Sequence, residues 1–272
     1  GASDANCKVQ AGYEYKSGSL GLLALTEAIK PDQAYSNRLV DFAQKGDLML
    51  TDLGYFKLSV FQQITAKGAY FLSRLLIGTT LLNADTSEKI DLRATLRSFV
   101  GNTLEMNVIM GNDKHPVPCR LIGFRATKQI ADTRRRKLRK EAKKKGRTPS
   151  KNHLALCDWT LFVTNAPSEM LPVTIVFSLY RLRWQIELIF KQLKSVLRIH
   201  FSHTAKECRL KCEILGKLIM AVIVHGIHSS LNAIMWTTRK REVSFGKLYK
   251  RIQERAFSLL QSILRNVVTA IK

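Results

Sequence analysis

Acidic residues are scarce in this 272-residue sequence: 21 Asp plus Glu stand against 44 Lys plus Arg, a net charge of +23. An excess of that size goes far beyond what solubility needs. It points to a polyanion, with nucleic acid first and an anionic membrane surface a distant second. Long apolar runs are also missing. The closest, LIMAVIVHGI from Leu218 to Ile227, falls well short of the ~18 uninterrupted residues of a membrane span. Lys217 and His228 flank it, so it reads as a buried core helix, and no membrane association is expected. Cysteine is sparse and odd in number: Cys7, Cys119, Cys157, Cys208 and Cys212 are widely scattered. That argues against a disulfide framework and fits reduced thiols in a cytosolic protein. His200, His203, Cys208 and Cys212 carry zinc-binding atoms, but the order H-x2-H-x4-C-x3-C matches no common finger, so they read as ordinary buried thiols and surface histidines. His153, His225 and His228 have no Ser or Cys at a recognisable catalytic spacing and read as structural. The stretch GNTLEMNVIMGN is too loose for a nucleotide-binding glycine loop. The first residue is Gly1 rather than Met, which hints at a chain without its natural start.

What is there begins with alternation. CKVQAGYEYKSGSLGLLALTEAI alternates apolar and polar residues around a KSGS turn, Lys16 to Ser19, as a β-hairpin does. SNRLVDFAQKG is a short helix with Ser36 as its cap and Gly46 at its end. DLMLTDLGYF is an apolar strand whose last polar residue is Asp52. SVFQQITAKG is an amphipathic helix closed by Gly68, and AYFLSRLLI is a second buried strand. Strand, helix, strand, helix, strand predicts an α/β sheet. Ligands in such sheets sit beyond the carboxyl ends of the strands, where Asp52 falls. Asp47 starts the same strand and is the weaker candidate for that reason.

From about Leu76 to Leu156 short alternating runs predict a mostly antiparallel β insertion. Within it RRRKLRKEAKKKGR, Arg134 to Arg147, holds ten cations and one acid. Unbound, such a run is expected to be a disordered or frayed helical loop. Bound, it is a phosphate-binding arm that orders on DNA. WTLFVTNAP then forms a strand closed by a turn at Asn165 to Pro167. The region from about Glu207 to Lys272 is helical, with one long apolar helix and one basic amphipathic helix.

YRLRWQIELIFKQLK, Tyr180 to Lys194, is the densest stretch. At about 100° per residue on a single helix, Tyr180, Arg183, Glu187 and Lys194 share one narrow stripe beside an apolar face. That pattern alone serves a salt-bridged surface or a site equally well. Here the residues carry a resemblance. Tyr180-x2-Arg183-x3-Glu187-x6-Lys194 resembles the "YREK" signature of the insertion-sequence DDE transposases of family four. Gly46 to Phe56 resembles the segment around that family's second catalytic Asp, and WTLFVTNAP and KSGSL fit as well. The likeness covers roughly Gly1 to Trp236.

The resemblance implies an RNase H-like mixed sheet with flanking helices, a mostly β insertion and a helical C-terminal region. It implies residues 1–76 as the first part of the catalytic core and 77–156 as the insertion with its basic arm 134–147. Residues 157–200 are then the second part of the core, and 201–272 the helical region. The 135 residues from Asp52 to Glu187 leave room for the insertion. By resemblance Asp52 and Glu187 are catalytic and are two of three metal ligands. Two Mg²⁺ (or Mn²⁺) ions are expected in a complete site, because hard cations take oxygen ligands and a metal pair activates and stabilises phosphodiester oxygens. Arg183 and Lys194 would hold backbone phosphates, and Tyr180 would touch a phosphate or a nucleotide. Arg134, Arg135, Arg136, Lys143, Lys144 and Lys145 would bind DNA from the arm. Trp184 is expected to pack against protein rather than on a base.

The family's first catalytic Asp lies on a strand upstream of the opening hairpin. GASDANCKVQ resembles the link after that strand, so the chain is expected to lack that Asp, with Asp4 a poor stand-in. The expected activity is metal-dependent cleavage at mobile-element ends and 3′-hydroxyl strand transfer into target DNA. Two copies would act together on double-stranded DNA, at the nucleoid in the cytoplasm. The competing expectation is a non-catalytic DNA-binding transposase remnant with the same fold.

Overall fold

The computed structural model describes residues 7–27, 30–199, 201–202, 206–258 and 261–262. Asp4, His200 and His203 lie outside these described residues. In chain order the elements are β1 (Cys7–Glu14), β2 (Ser19–Glu27), α1 (Asn37–Phe42), β3 (Leu48–Thr51), α2 (Leu58–Ala66), β4 (Tyr70–Arg74) and β5 (Leu81–Asn83). They continue as α3 (Leu92–Ser98), β6 (Thr103–Met110), β7 (Val117–Arg125), α4 (Lys128–Lys144), α5 (Lys151–Leu156) and β8 (Trp159–Thr164). The last four are α6 (Val173–Arg181), α7 (Trp184–Ser195), α8 (Glu207–Arg239) and α9 (Phe245–Glu254). Residues 28–183 form one unit, and residues 1–27 with 184–272 form another.

The first unit is built on a six-stranded mixed sheet in the order β3-β4-β8-β7-β6-β5. β3 and β4 are parallel, with Leu48 opposite Tyr70 and Thr51 opposite Ser73. The other pairs are antiparallel. The β-rich stretch therefore continues the sheet that holds β3, β4 and β8. Successive residues of a strand point to opposite faces, and the central strands are apolar on both. Phe71, Leu121 and Val163 belong to one core with Val60, Phe61 and Ile64 of α2 and Leu96 of α3. Their neighbours Leu72, Ile122 and Phe162 belong to a second core with Val176 and Tyr180 of α6. A sheet buried on both faces needs such continuous apolar strands, which is why WTLFVT shows no alternation. This six-stranded mixed sheet flanked by helices is consistent with an RNase H-like DDE domain.

Two polar clamps fix the turn that leads into α6. Asn165 accepts the Phe71 N–H at 2.8 Å and donates to Thr65 Oγ1 at 2.9 Å and Ala69 O at 3.1 Å. Arg120, 8% exposed, donates to Glu105 Oε1 and to the carbonyls of Ala166 at 2.9 Å and Leu171 at 3.1 Å. One buried guanidinium so holds both ends of the loop.

The basic arm differs from its expected free state. Residues 128–144 are a continuous helix, α4, rather than a frayed loop. Thr127 caps its start, Ala131 is 1% exposed, and two arginines tie it down. Arg134 donates to the carbonyls of Cys157 and Trp159 and to Thr160 Oγ1. Arg135 pairs with Asp132 and Asp158. These contacts to β8 and the turn before it offset the repulsion within the run, and local sequence does not reveal them.

In the other unit β1 and β2 form the expected hairpin, with Cys7 opposite Glu27. Gly18 takes φ +69 in its turn, a left-handed geometry that favours glycine. Ile189, Leu193 and Leu197 pack with Ala221 of α8, with Tyr13 and Leu20 of the hairpin beside them. The expectation for Leu218 to Ile227 is met on one side only. α8 runs 33 residues; Leu218, Ala221, Val224 and His225 are buried, whereas Ile219, Val222 and Ile223 are exposed. By length and composition α8 could cross a membrane, although a soluble core helix passes the same test.

Candidate active site

Asp52 follows the last residue of β3 and opens the 3₁₀ turn Leu53–Tyr55, whose Tyr55 N–H donates to the Asp52 carbonyl at 3.0 Å. The strand ends here because the chain turns after Thr51, which is 3% exposed, and the next side chain points outward. The Asp52 side chain is 56% exposed, and its Oδ1 lies 4.0 Å from Arg183 Nη1. The Arg183 guanidinium lies 5.9 Å from the Tyr180 ring centre. Tyr180 is buried, edge-on to Phe162, and its hydroxyl donates to the Thr51 carbonyl at 3.2 Å. Burial, more than any neighbour, raises the Tyr180 hydroxyl above its ordinary pKa. The hydroxyl thus has a partner other than the nucleic acid the resemblance implies. Tyr180 holds the strand end that carries Asp52, and Arg183 faces the carboxylate itself.

Tyr55 is pushed up to about 12, first by burial and then by the charges of Asp32 and Asp52. Tyr55 and Asp32 thus belong to the surroundings of Asp52, which sequence inspection missed because only tertiary folding brings Asp32 near. Asp47 instead accepts the Gln44 N–H at 2.9 Å in the turn before β3. It is a turn residue at the far end of the strand.

The expected single helix from Tyr180 to Lys194 is interrupted. α6 ends at Arg181 and α7 begins at Trp184. Between them Leu182 N–H bonds Leu179 O at 2.9 Å and Arg183 N–H bonds Tyr180 O at 3.1 Å, the tighter spacing of a 3₁₀ turn. No Gly or Pro marks the break. Tyr180 and Arg183 belong to the unit of residues 28–183, and Glu187 and Lys194 to the other. Within α7, Glu187 lies in the first turn and Lys194 in the last, each favourably placed against the helix dipole. Glu187, Phe190, Lys191, Lys194 and Ser195 line an open cavity of 530 Å³. Trp184 is 56% exposed rather than packed away.

The carboxylates present fit a hard cation in donor type. Among the described residues no group of three His, Cys, Asp or Glu gathers closely enough to hold an ion. In the basic arm, Arg136, Lys143, Lys144 and Lys145 are exposed, whereas Arg134 and Arg135 are partly buried in the contacts already given.

The structure thus presents an acidic residue at a strand end, with Arg183 facing its carboxylate and Tyr180 bonded to the residue before it. The sequence model of the family described as "Transposase DDE domain" matches residues 2–223, and the chain belongs to that family. Among curated relatives, the transposase for insertion sequence element IS231F of Bacillus thuringiensis subsp. israelensis is 30% identical, over 96% of this chain and 58% of its own length. The IS231C transposase of Bacillus thuringiensis subsp. berliner is 31% identical, over 97% and 59%. The IS1151 transposase of Clostridium perfringens is 28% identical, over 100% and 63%. The chain thus spans about three fifths of the length of these relatives.

Proposed function

We propose that this chain is the catalytic core of an insertion-sequence transposase, acting with divalent metal to cut DNA at its element's ends and join the 3′ hydroxyls to target DNA. The observation that carries the reading is Asp52 at the carboxyl end of β3, braced by Tyr180 and Arg183, in a chain whose sequence matches the family over residues 2–223. Asp52 and Glu187 would hold Mg²⁺ or Mn²⁺, two ions in a complete site with a further carboxylate. The metal supplies an activated attacking oxygen and a stabilised leaving oxyanion.

The remaining work belongs to the chain's own residues. Arg183 offers a planar fork that can hold a non-bridging phosphate oxygen while facing Asp52, and Lys194 offers a point charge from α7. Tyr180 keeps the end of β3 fixed, so the Asp52 carboxylate is oriented before DNA arrives. Cations of α4 add phosphate contacts. Two copies would act on paired DNA ends at the nucleoid.

The test is Mg²⁺-dependent cleavage of plasmid carrying the element's ends, run with this chain and with any longer reading frame that contains it. Asp52→Asn and Glu187→Gln serve as blanks. Cleavage and joining by the parent protein, lost in both blanks, supports the reading. Cleavage that survives either substitution overturns it, and DNA binding without cleavage in any form favours a non-catalytic remnant.

A further inference from the structure

We infer that α4 is a preformed duplex-DNA clamp with two functionally different sides: Arg134 and Arg135 anchor it, and Arg136, Arg139, Lys140 and Lys143 grip the phosphate backbone without reading sequence. The inference rests on the reading of the chain as a DNA-acting protein and assigns the surface and the manner of contact. The anchoring side is visible in its bonds. Ala131 is buried, Arg134 donates to two carbonyls and a hydroxyl near β8, and Arg135 pairs with Asp132 and Asp158. Three hydrogen bonds of Arg134 and two of Arg135 go to protein, so turning either guanidinium toward phosphate would loosen the helix's seat.

The other side is the reverse. Arg136, Arg139, Lys140 and Lys143 fall at positions i, i+3, i+4 and i+7, one face of a helix, and all four are exposed. Among the described residues no carboxylate pairs with any of them. Like charges at this spacing repel one another, so the row weakens the free helix and gains from a polyanion. A duplex supplies one negative charge per about 1.7 Å of axis, dense enough to meet a row that rises about 10 Å from Arg136 to Lys143. Lys137, Lys144 and Arg147, also exposed, widen the positive surface. The row contains only Lys and Arg, whose charge meets phosphates on any sequence; with no Asn or Gln for adenine edges, guanine is the one base edge it could read, so the backbone is the contact that every duplex offers it. Because the helix is already formed, binding does not carry the ordering cost of a disordered arm.

The test is fluorescence anisotropy of two labelled 30-base-pair duplexes of unrelated sequence, in EDTA, from 50 to 200 mM salt. Three proteins are compared: the parent, Arg136→Ala/Arg139→Ala/Lys140→Ala/Lys143→Ala, and the charge-matched Lys45→Ala/Lys89→Ala/Arg97→Ala/Lys114→Ala. Alanine is the best helix former, so α4 persists, and circular dichroism checks it. Losing four phosphate contacts should make the negative slope of log K against log salt shallower by about 3 to 4, since each contributes about −0.9. The parent's affinity should fall about 100-fold more steeply than the row variant's over that fourfold salt range. An unchanged slope in the row variant overturns the inference. So does an equal loss in the charge-matched control, which would mean a general field rather than a clamp. A loss confined to one DNA sequence overturns the sequence-independent grip. A parent that binds no duplex at all refutes the DNA reading beneath it.

Discussion

Replacing Tyr180 by Phe separates bracing from DNA contact. The ring stays, and with it the edge-on contact with Phe162 at 5.0 Å and the packing against Leu72, Ile122, Leu171 and Val176. What leaves is one hydroxyl and its 3.2 Å bond to the Thr51 carbonyl. Ser73 Oγ reaches that carbonyl only at 3.5 Å, too far to replace it well. A typical bond is worth about 1 kcal/mol net, and a buried acceptor left without its partner raises the loss toward 2 kcal/mol. In a unit of this size each kcal/mol moves Tm by about 2–4 °C, so a fall of about 2–8 °C is expected. Thermal unfolding followed by circular dichroism measures that change, and duplex binding in EDTA should stay within about twofold of the parent. A roughly tenfold loss of DNA affinity with unchanged Tm would refute the reasoning, because it would make the hydroxyl a DNA contact and the Thr51 bond dispensable.

Other perturbations follow from the same geometry. Arg120→Met strips Glu105, Ala166 and Leu171 of their shared partner; breaking a buried pair costs about 3–5 kcal/mol. Because Glu105 is 38% exposed and can rehydrate, about 2–3 kcal/mol is expected in urea unfolding, with partial recovery on adding Glu105→Gln. A loss below about 0.5 kcal/mol would mean the clamp is idle. His225 is 6% exposed and pushed down to about 4 by burial, with His228 adding to the effect. Its folded value lies below the unfolded one near 6.5, so its contribution is present above that pH and lost as pH falls from about 6.5 to 4. Tm across this window should drop in the parent and flatten in His225→Leu; identical profiles would exclude His225 as the cause. Burial pushes the Cys119 thiol up to about 12, whereas Cys208 and Cys212, expected to be buried, are exposed on α8. Mass spectrometry after brief alkylation near pH 8 should find adducts at Cys208 and Cys212 and none at Cys119 until urea is added.

How much was legible in sequence depended on the range of the interactions involved. The hairpin around Lys16 to Ser19, β3 with Asp52 at its end, α2 before Gly68, and β4 followed from apolar spacing and turn residues, all local signals. The DDE transposase family was recognisable from Tyr180, Arg183, Glu187 and Lys194 together with the Asp52 segment, as the match over residues 2–223 agrees. The break at Leu182 and Arg183 was not, because neither residue disfavours a helix and the wheel treats a tightened turn as more of the same. Nor was the seat of α4. Its charge run favours disorder when read alone, and only the carbonyls of Cys157 and Trp159, more than twenty residues away, give Arg134 a reason to be helical. Asp32 near Tyr55, and Arg120 across the loop before α6, likewise follow from folding rather than spacing.

The pairing of β3 with β4 also constrains how genes for this chain can change length. Leu48 to Thr51 match Tyr70 to Ser73 one for one, so adding or deleting a single codon within β3 swaps its two faces. Thr51 would turn out, Asp52 would turn in, and the carbonyl that Tyr180 holds would shift by one residue. A codon gained in the turn between Met110 and Val117 alters no register and adds little to the entropy of closing the loop. Lineages descended from this sequence should therefore vary in length at such turns and keep the count from Gly46 to Asp52 fixed for as long as the carboxylate is under selection.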